Sequence, residues 1–182
     1  MLTHLRPAIT LTLFFALLTG LLYPLAITGA AQAVFPAQAD GSQIARNGVL
    51  IGSHLVGQNW TADKYFHGRP SAVKYDASTS SGSNLGPSSK TLMAAIADNA
   101  QALGGTGIPA DLVTASGSGL DPDISPAGAM FQIVRVAKAR GLTEDALRRL
   151  IAAHTQGPDL GILGEARVNV LDLNLALDEL KP

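Results

Sequence analysis

The chain has 182 residues, a formal net charge of −1, 47% hydrophobic residues and no cysteine. So even a balance lacks the basic footprint with which nucleic-acid binders displace counterions from phosphates. The missing cysteines exclude disulfides, thiolate metal sites and a cysteine nucleophile.

Pro7 to Ala39 carries no Asp, Glu, Lys, Arg or His. As a helix, Ala8 to Ala31 would be about 36 Å long at ~1.5 Å rise per residue, against a hydrocarbon core of about 30 Å. This predicts a transmembrane helix and its exit over residues 7–35. The α-amino group, His4 and Arg6 place residues 1–6 in the cytoplasm and residues 36–182 in an extracytoplasmic domain. Ala8, Thr12, Ala16 and Gly20 recur every fourth residue, a stripe of small side chains that suits close approach of another helix. Pro24 removes a backbone donor and should kink the outer third. A second reading is a secretory signal cleaved after Ala31-Gln32-Ala33, but the apolar part is longer than a signal core of about 7–15 residues.

The part after the helix, about 140 residues, fits one compact domain. Gln43 to Val56 reads as a strand pair turned at Asn47-Gly48. Trp60, Tyr65, Phe66, His67, Arg69 and Pro70 supply large amphipathic side chains, suited to the core of a chain with few aromatics and also to an interface. Asp76 to Ser89 is a polar loop, either flexible or ordered to present hydroxyls. Lys90 to Leu103 has helical spacing in Leu92, Ala95, Ile96, Asn99 and Leu103, and is expected to cover the sheet. Thr114 to Pro126 is a second hydroxyl-rich connection. Ser125 and Pro126 then start a helix to about Arg140, with Met130, Ile133, Val134 and Ala137 inward and Gly141 as its stop. Thr143 starts another, with Leu147, Leu150 and Ile151 inward. Gln156 to Gly164 is a Gly/Pro loop. Val168 to Leu180 alternates like a strand but has helix-forming composition, and is read as a helix from near Asn169. The fold class is therefore α+β: one N-terminal transmembrane helix followed by a single small mixed domain.

Motifs of enzyme chemistry fail on spacing. The glycines before Lys90-Thr91 do not have phosphate-loop spacing, and Gly105 to Ala110 follows a predicted helix where a dinucleotide turn needs a strand. There is no G-x-S-x-G and no H-E-x-x-H, and His54, His67 and His154 are widely spread. Asp121 and Asp123 could offer oxygens to a cation, or act as turn residues beside Pro122 and Pro126.

Several stretches together resemble the C subunit of Kdp-type potassium-transporting P-type ATPases. They are Gly52-Ser53-His54-Leu55-Val56-Gly57-Gln58, Tyr65-Phe66-His67-Gly68-Arg69-Pro70-Ser71-Ala72, Ser80 to Pro87, Thr114 to Pro126, Arg135-Val136-Ala137, Arg140-Gly141-Leu142, Leu163-Gly164-Glu165 and Arg167 to Leu171. Asp123 is a departure, at a position where the family often has His. The resemblance implies a single-pass subunit of the bacterial inner membrane that is not itself an enzyme. Its implied partners are a channel-like potassium-binding subunit, a catalytic P-type ATPase subunit and a small single-span subunit. It implies an accessory role in assembly or at the outer mouth of the ion path, or a chaperone role raising ATP affinity through the hydroxyl-rich motif Ser116, Gly117, Ser118 and Gly119. That last role conflicts with an outer location, so no cofactor is assigned to this chain, and ATP and potassium are left to the complex. Ser81, Asn84, Asp121 and Asp123 are expected on a partner-facing or mouth-facing loop surface. The reading from a different class is an exported, cleaved hydrolase or ligand-binding protein.

Overall fold

The computed structural model describes residues 2–180. Met1, which carries the expected N-terminal charge, and Lys181 and Pro182 of the expected outer domain lie outside the described residues. The chain divides into two compact units, Met1–Leu50 and Ile51–Pro182.

In the first unit, α1 (Leu5–Leu17), a π-helical turn (Leu18–Leu22) and α2 (Tyr23–Val34) form one continuous helix. None of its residues is buried, and it is long and apolar enough to cross a membrane. The disturbance expected at Pro24 takes the form of the π turn. The amide of Tyr23 reaches back five residues to the Leu18 carbonyl, and Pro24, which has no donor, follows directly. Phe35 leaves helical geometry just before Pro36, as the pre-proline clash requires. A single turn, α3 (Pro36–Ala39), leads to the hairpin of β1 (Gln43–Arg46) and β2 (Val49–Ser53). Asn47 and Gly48 both have positive φ, as a two-residue hairpin turn demands.

The second unit holds α4 (Lys90–Ala102), β3 (Asp123–Ile124), α5 (Pro126–Phe131), α6 (Ile133–Arg140), α7 (Glu144–His154), β4 (Thr155–Gln156), β5 (Arg167–Asn169) and α8 (Val170–Glu179). The sheet order is β3-β5-β4, antiparallel throughout, with Ile124 opposite Val168 and Thr155 opposite that same residue on the other edge. Helices α5, α7 and α8 pack on β5. The core consists mainly of Phe66, Ile133, Val136, Leu147, Ile151, Val168, Leu173 and Leu177. Each contributes about 1.5–3 kcal/mol of apolar burial.

Local sequence explains the starts and stops. The hydroxyls of Ser89, Ser125 and Thr143 and the Asn169 side-chain oxygen cap α4, α5, α7 and α8. Gly141 ends α6 in the left-handed region. Four expectations change. The helix from Pro126 breaks at Gln132, whose side chain is used elsewhere, and gives two helices. Met130 and Val134 face outward, while Ala129 and Val136 take the inward places. Helix α4 buries no residue and does not cover the sheet; Leu92, Ile96 and Asn99 are half-buried. The ambiguous Val168 to Leu180 divides its signals, a three-residue central strand running straight into a helix.

Candidate functional site

The two hydroxyl-rich loops meet. Ser80 donates to the Ser118 carbonyl at 3.2 Å, and Ser71 donates to the Gly119 carbonyl at 2.6 Å. A side chain at Gly82 would stand 2.9 Å from the Gly117 carbonyl oxygen. Gly119, at φ +68°, leaves no room for one, because a Cβ would lie 2.7 Å from the Ser81 carbonyl oxygen. Ser116 is buried and accepts from the Gly119 amide at 2.9 Å, while Ser118 accepts from the Leu120 amide at 3.1 Å. These are turn-closing bonds within the loop.

Below this platform, Gly57 donates to the Leu120 carbonyl and sits against Asp121 and Tyr75, with no space for a larger residue. Asp121 pairs with Arg69 at 2.9 Å and accepts from the Asp123 amide at 3.1 Å, so it is both a turn residue and an ion-pair partner. Asp123 accepts from Asn169 at 3.2 Å and lies 3.6 Å from Arg167. Burial and then the charge of Asp121 raise its carboxyl above the ordinary value. Ser81 is half-buried, whereas Asn84 is exposed in a left-handed turn. Tyr75 donates to the Arg69 carbonyl at 2.7 Å, and burial pushes its hydroxyl up to about 12.

The segment joining these loops to the core is pinned by two amide side chains. Asn174, fully buried on α8, accepts from the Phe66 amide at 2.8 Å and donates to the Phe66 carbonyl at 2.9 Å. Gln132 does the same for His67, at 2.8 and 3.0 Å. Each amide replaces a neighbouring strand for one residue of extended chain.

Beside that segment lies an open cleft of about 920 Å³, between α4 and α6. Leu103, Leu112, Phe131 and Val134 give it apolar walls, and Arg69, Arg135 and Lys138 line it against a single carboxylate, Asp63. Arg135 donates to the carbonyls of Asp63 and Tyr65 at 2.6 and 3.0 Å and to Gln132 Oε1 at 2.7 Å. Among the described residues it has no carboxylate at ion-pair distance. The charged form of its half-buried guanidinium is disfavoured by desolvation.

The family model for KdpC, the c chain of potassium-transporting ATPases, matches residues 5–179. Three similar proteins, each described as the KdpC subunit of a potassium-transporting ATPase, come from Gemmatimonas aurantiaca, Methylobacterium nodulans and Rhodopseudomonas palustris. They are 57%, 52% and 52% identical, over 99%, 99% and 100% of this chain and 94%, 98% and 100% of their own lengths. The chain belongs to the KdpC family.

The hydroxyl-rich stretch that the KdpC resemblance singled out is thus a folded knot. Gly117 and Ser118 are exposed, but Ser116 and Gly119 are buried. The three widely spread histidines stay apart: His54 pairs with Asp172 at 3.0 Å, His67 with the Ala62 carbonyl and His154 with the Leu150 carbonyl. Ala8, Thr12, Ala16 and Gly20 are exposed on the long helix. Sequence reasoning missed the cleft and both pinning amides. The one available signal was polar Asn174 at a core-spaced position of an otherwise apolar helix.

Proposed function

We propose that this chain is a non-catalytic accessory subunit of an ATP-driven potassium uptake complex in the bacterial inner membrane. It is held there by residues 7–35, which include most of the helix Leu5–Val34, with residues 1–6 in the cytoplasm and the domain at 36–182 outside. The observation that carries the reading is the family match over nearly the whole chain, with that helix inside the matched region. A membrane transporter subunit needs an anchor, and an unburied apolar helix of 30 residues supplies one. The small stripe Ala8, Thr12, Ala16, Gly20 is its docking face.

The partners are the channel-like potassium-binding subunit, the catalytic ATPase subunit and the small single-span subunit. The outer domain works in assembly and at the mouth of the ion path, through the loop surface bearing Ser81, Asn84, Asp121 and Asp123. Large apolar side chains on the Gly/Pro loop, Leu160 at 90% and Ile162 at 82% exposure, suit a chain that is completed by neighbours. It makes no ATP contact of its own. Ser116 is committed to an internal bond, and on this topology the domain and cytoplasmic ATP lie on opposite sides of the bilayer.

Purification of the complex through a tag on the catalytic subunit, followed by intact-mass measurement of this chain, tests the reading. The expected result is co-purification of a chain that retains Leu5–Val34. A chain beginning after Ala33, or one absent from the complex, would overturn it.

A further inference from the structure

Resting on the subunit reading above, we propose that the cleft between α4 and α6 is a docking groove for a segment of a partner subunit that carries acidic residues on an apolar face.

The walls and the charge require different things of an occupant, and such a segment meets both. Val134 is 65% exposed at the rim, and Leu103 and Phe131 add apolar surface that water covers when the groove is empty. Arg69 is already neutralised by Asp121, but its Nε atom is buried with no hydrogen-bond partner among the described residues. Three of the five N–H groups of Arg135 go to neutral oxygens, and Lys138, one helical turn beyond Val134 on α6, is exposed. With Arg69 neutralised by Asp121, Arg135 and Lys138 face the single carboxylate of Asp63 and leave a positive charge in excess along one wall. Charge complementarity therefore selects an anionic partner, and Arg135 is disposed for a carboxylate because its plane is already fixed by three bonds.

A free inorganic anion would leave most of about 920 Å³ and all the apolar wall uncovered. An acyl chain laid in an open trough would keep one side in water. A peptide segment needs only one face covered, and can place Leu-like and carboxylate side chains a turn apart. Helix α4 forms the opposite wall with no residue of its own buried, so the groove can adjust its width at little cost to the core.

The test places a benzophenone amino acid at Val134 in the full chain, within the assembled complex in membranes, with Arg149 on the exposed side of α7 as control. Illumination should join position 134, and not 149, to another polypeptide of the complex. The exposed charge reversal Lys138→Glu should cut that yield per retained chain about tenfold, the effect of losing one charge-assisted contact worth ~1.4 kcal/mol. Adducts to lipid alone, no adduct at 134, or a yield indifferent to Lys138→Glu each overturn the inference. Failure of the subunit reading looks different, because the wild-type chain would then not co-purify.

Discussion

Asn174 shows how much a single polar side chain can determine. Its amide is fully buried and satisfies both main-chain groups of Phe66, whose ring is itself at the centre of the core. Asn174→Ala would leave a donor and an acceptor unpaired at zero exposure, at about 1–3 kcal/mol each. The expected loss is about 2–6 kcal/mol, seen as a clear fall in the thermal midpoint of the detergent-solubilised chain; an unchanged midpoint would refute the pairing. Tyr75 gives a pH signature. Its folded-state pKa, about 12, exceeds its ordinary 10.0, so the folded chain holds this proton more firmly than the unfolded chain. Its contribution to stability is fully present below pH 10 and is lost as pH rises towards 12. Tyr75→Phe should flatten that part of the profile, and at neutral pH should cost about 1 kcal/mol for the lost bond to the Arg69 carbonyl. Denaturation midpoints of the two chains between pH 9 and 12 make the comparison. Asp123 runs the same way at acid pH: with its carboxyl raised, stability falls as pH climbs through its titration, so Asp123→Asn should remove that slope.

Among the elements, the long helix has a geometry that bears on its small-residue stripe. Residues four apart drift about 40° around an α-helix at each step. A strict four-residue stripe would therefore wind off one face, and the wider π turn at Leu18–Leu22 takes back part of that drift between Ala16 and Pro24. Replacing Ala16 and Gly20 together by Leu should reduce recovery of this chain with the complex. A Cβ at Gly20 meets nothing within 4 Å in the chain itself, so any loss belongs to the partner contact. Unchanged recovery and transport would remove the stripe from consideration. Capping and turn chemistry were the most legible features: Asn47-Gly48, Ser125-Pro126, Gly141 and Thr143 all stand where local rules put them. Helix α4 was legible as a helix but not in its placement, since its Leu92 and Ile96 have core-like spacing yet are only half-buried. Periodicity reports which face is apolar, and leaves open what, if anything, will cover it. At Val168–Leu180 two periods overlapped because the central strand is three residues long and joins a helix without a loop.

On the scale of the whole chain, the long apolar helix and the mixed fold that follows it could be read from charge-free length and from the order of turn signals. The candidate surface could be read only in part. Both hydroxyl-rich loops were visible, but nothing in either stretch announces that they close on one another across 38 residues, with Gly82 and Gly119 permitting the approach. The cleft stayed hidden for a similar reason: its cations come from the 65–70 segment and from α6, and only the fold brings them to one wall. The pinned segment has a kinetic consequence. Phe66 and His67 lie in chain with no regular secondary structure, where solvent exchange of amide hydrogens is ordinarily fast. Their hydrogens are held by side chains of α8 and of the α5–α6 junction, so they can be released only when those helices open. In deuterium these two amides should keep time with the slowest hydrogens of the core, while those of Ser83 and Asn84 exchange at once.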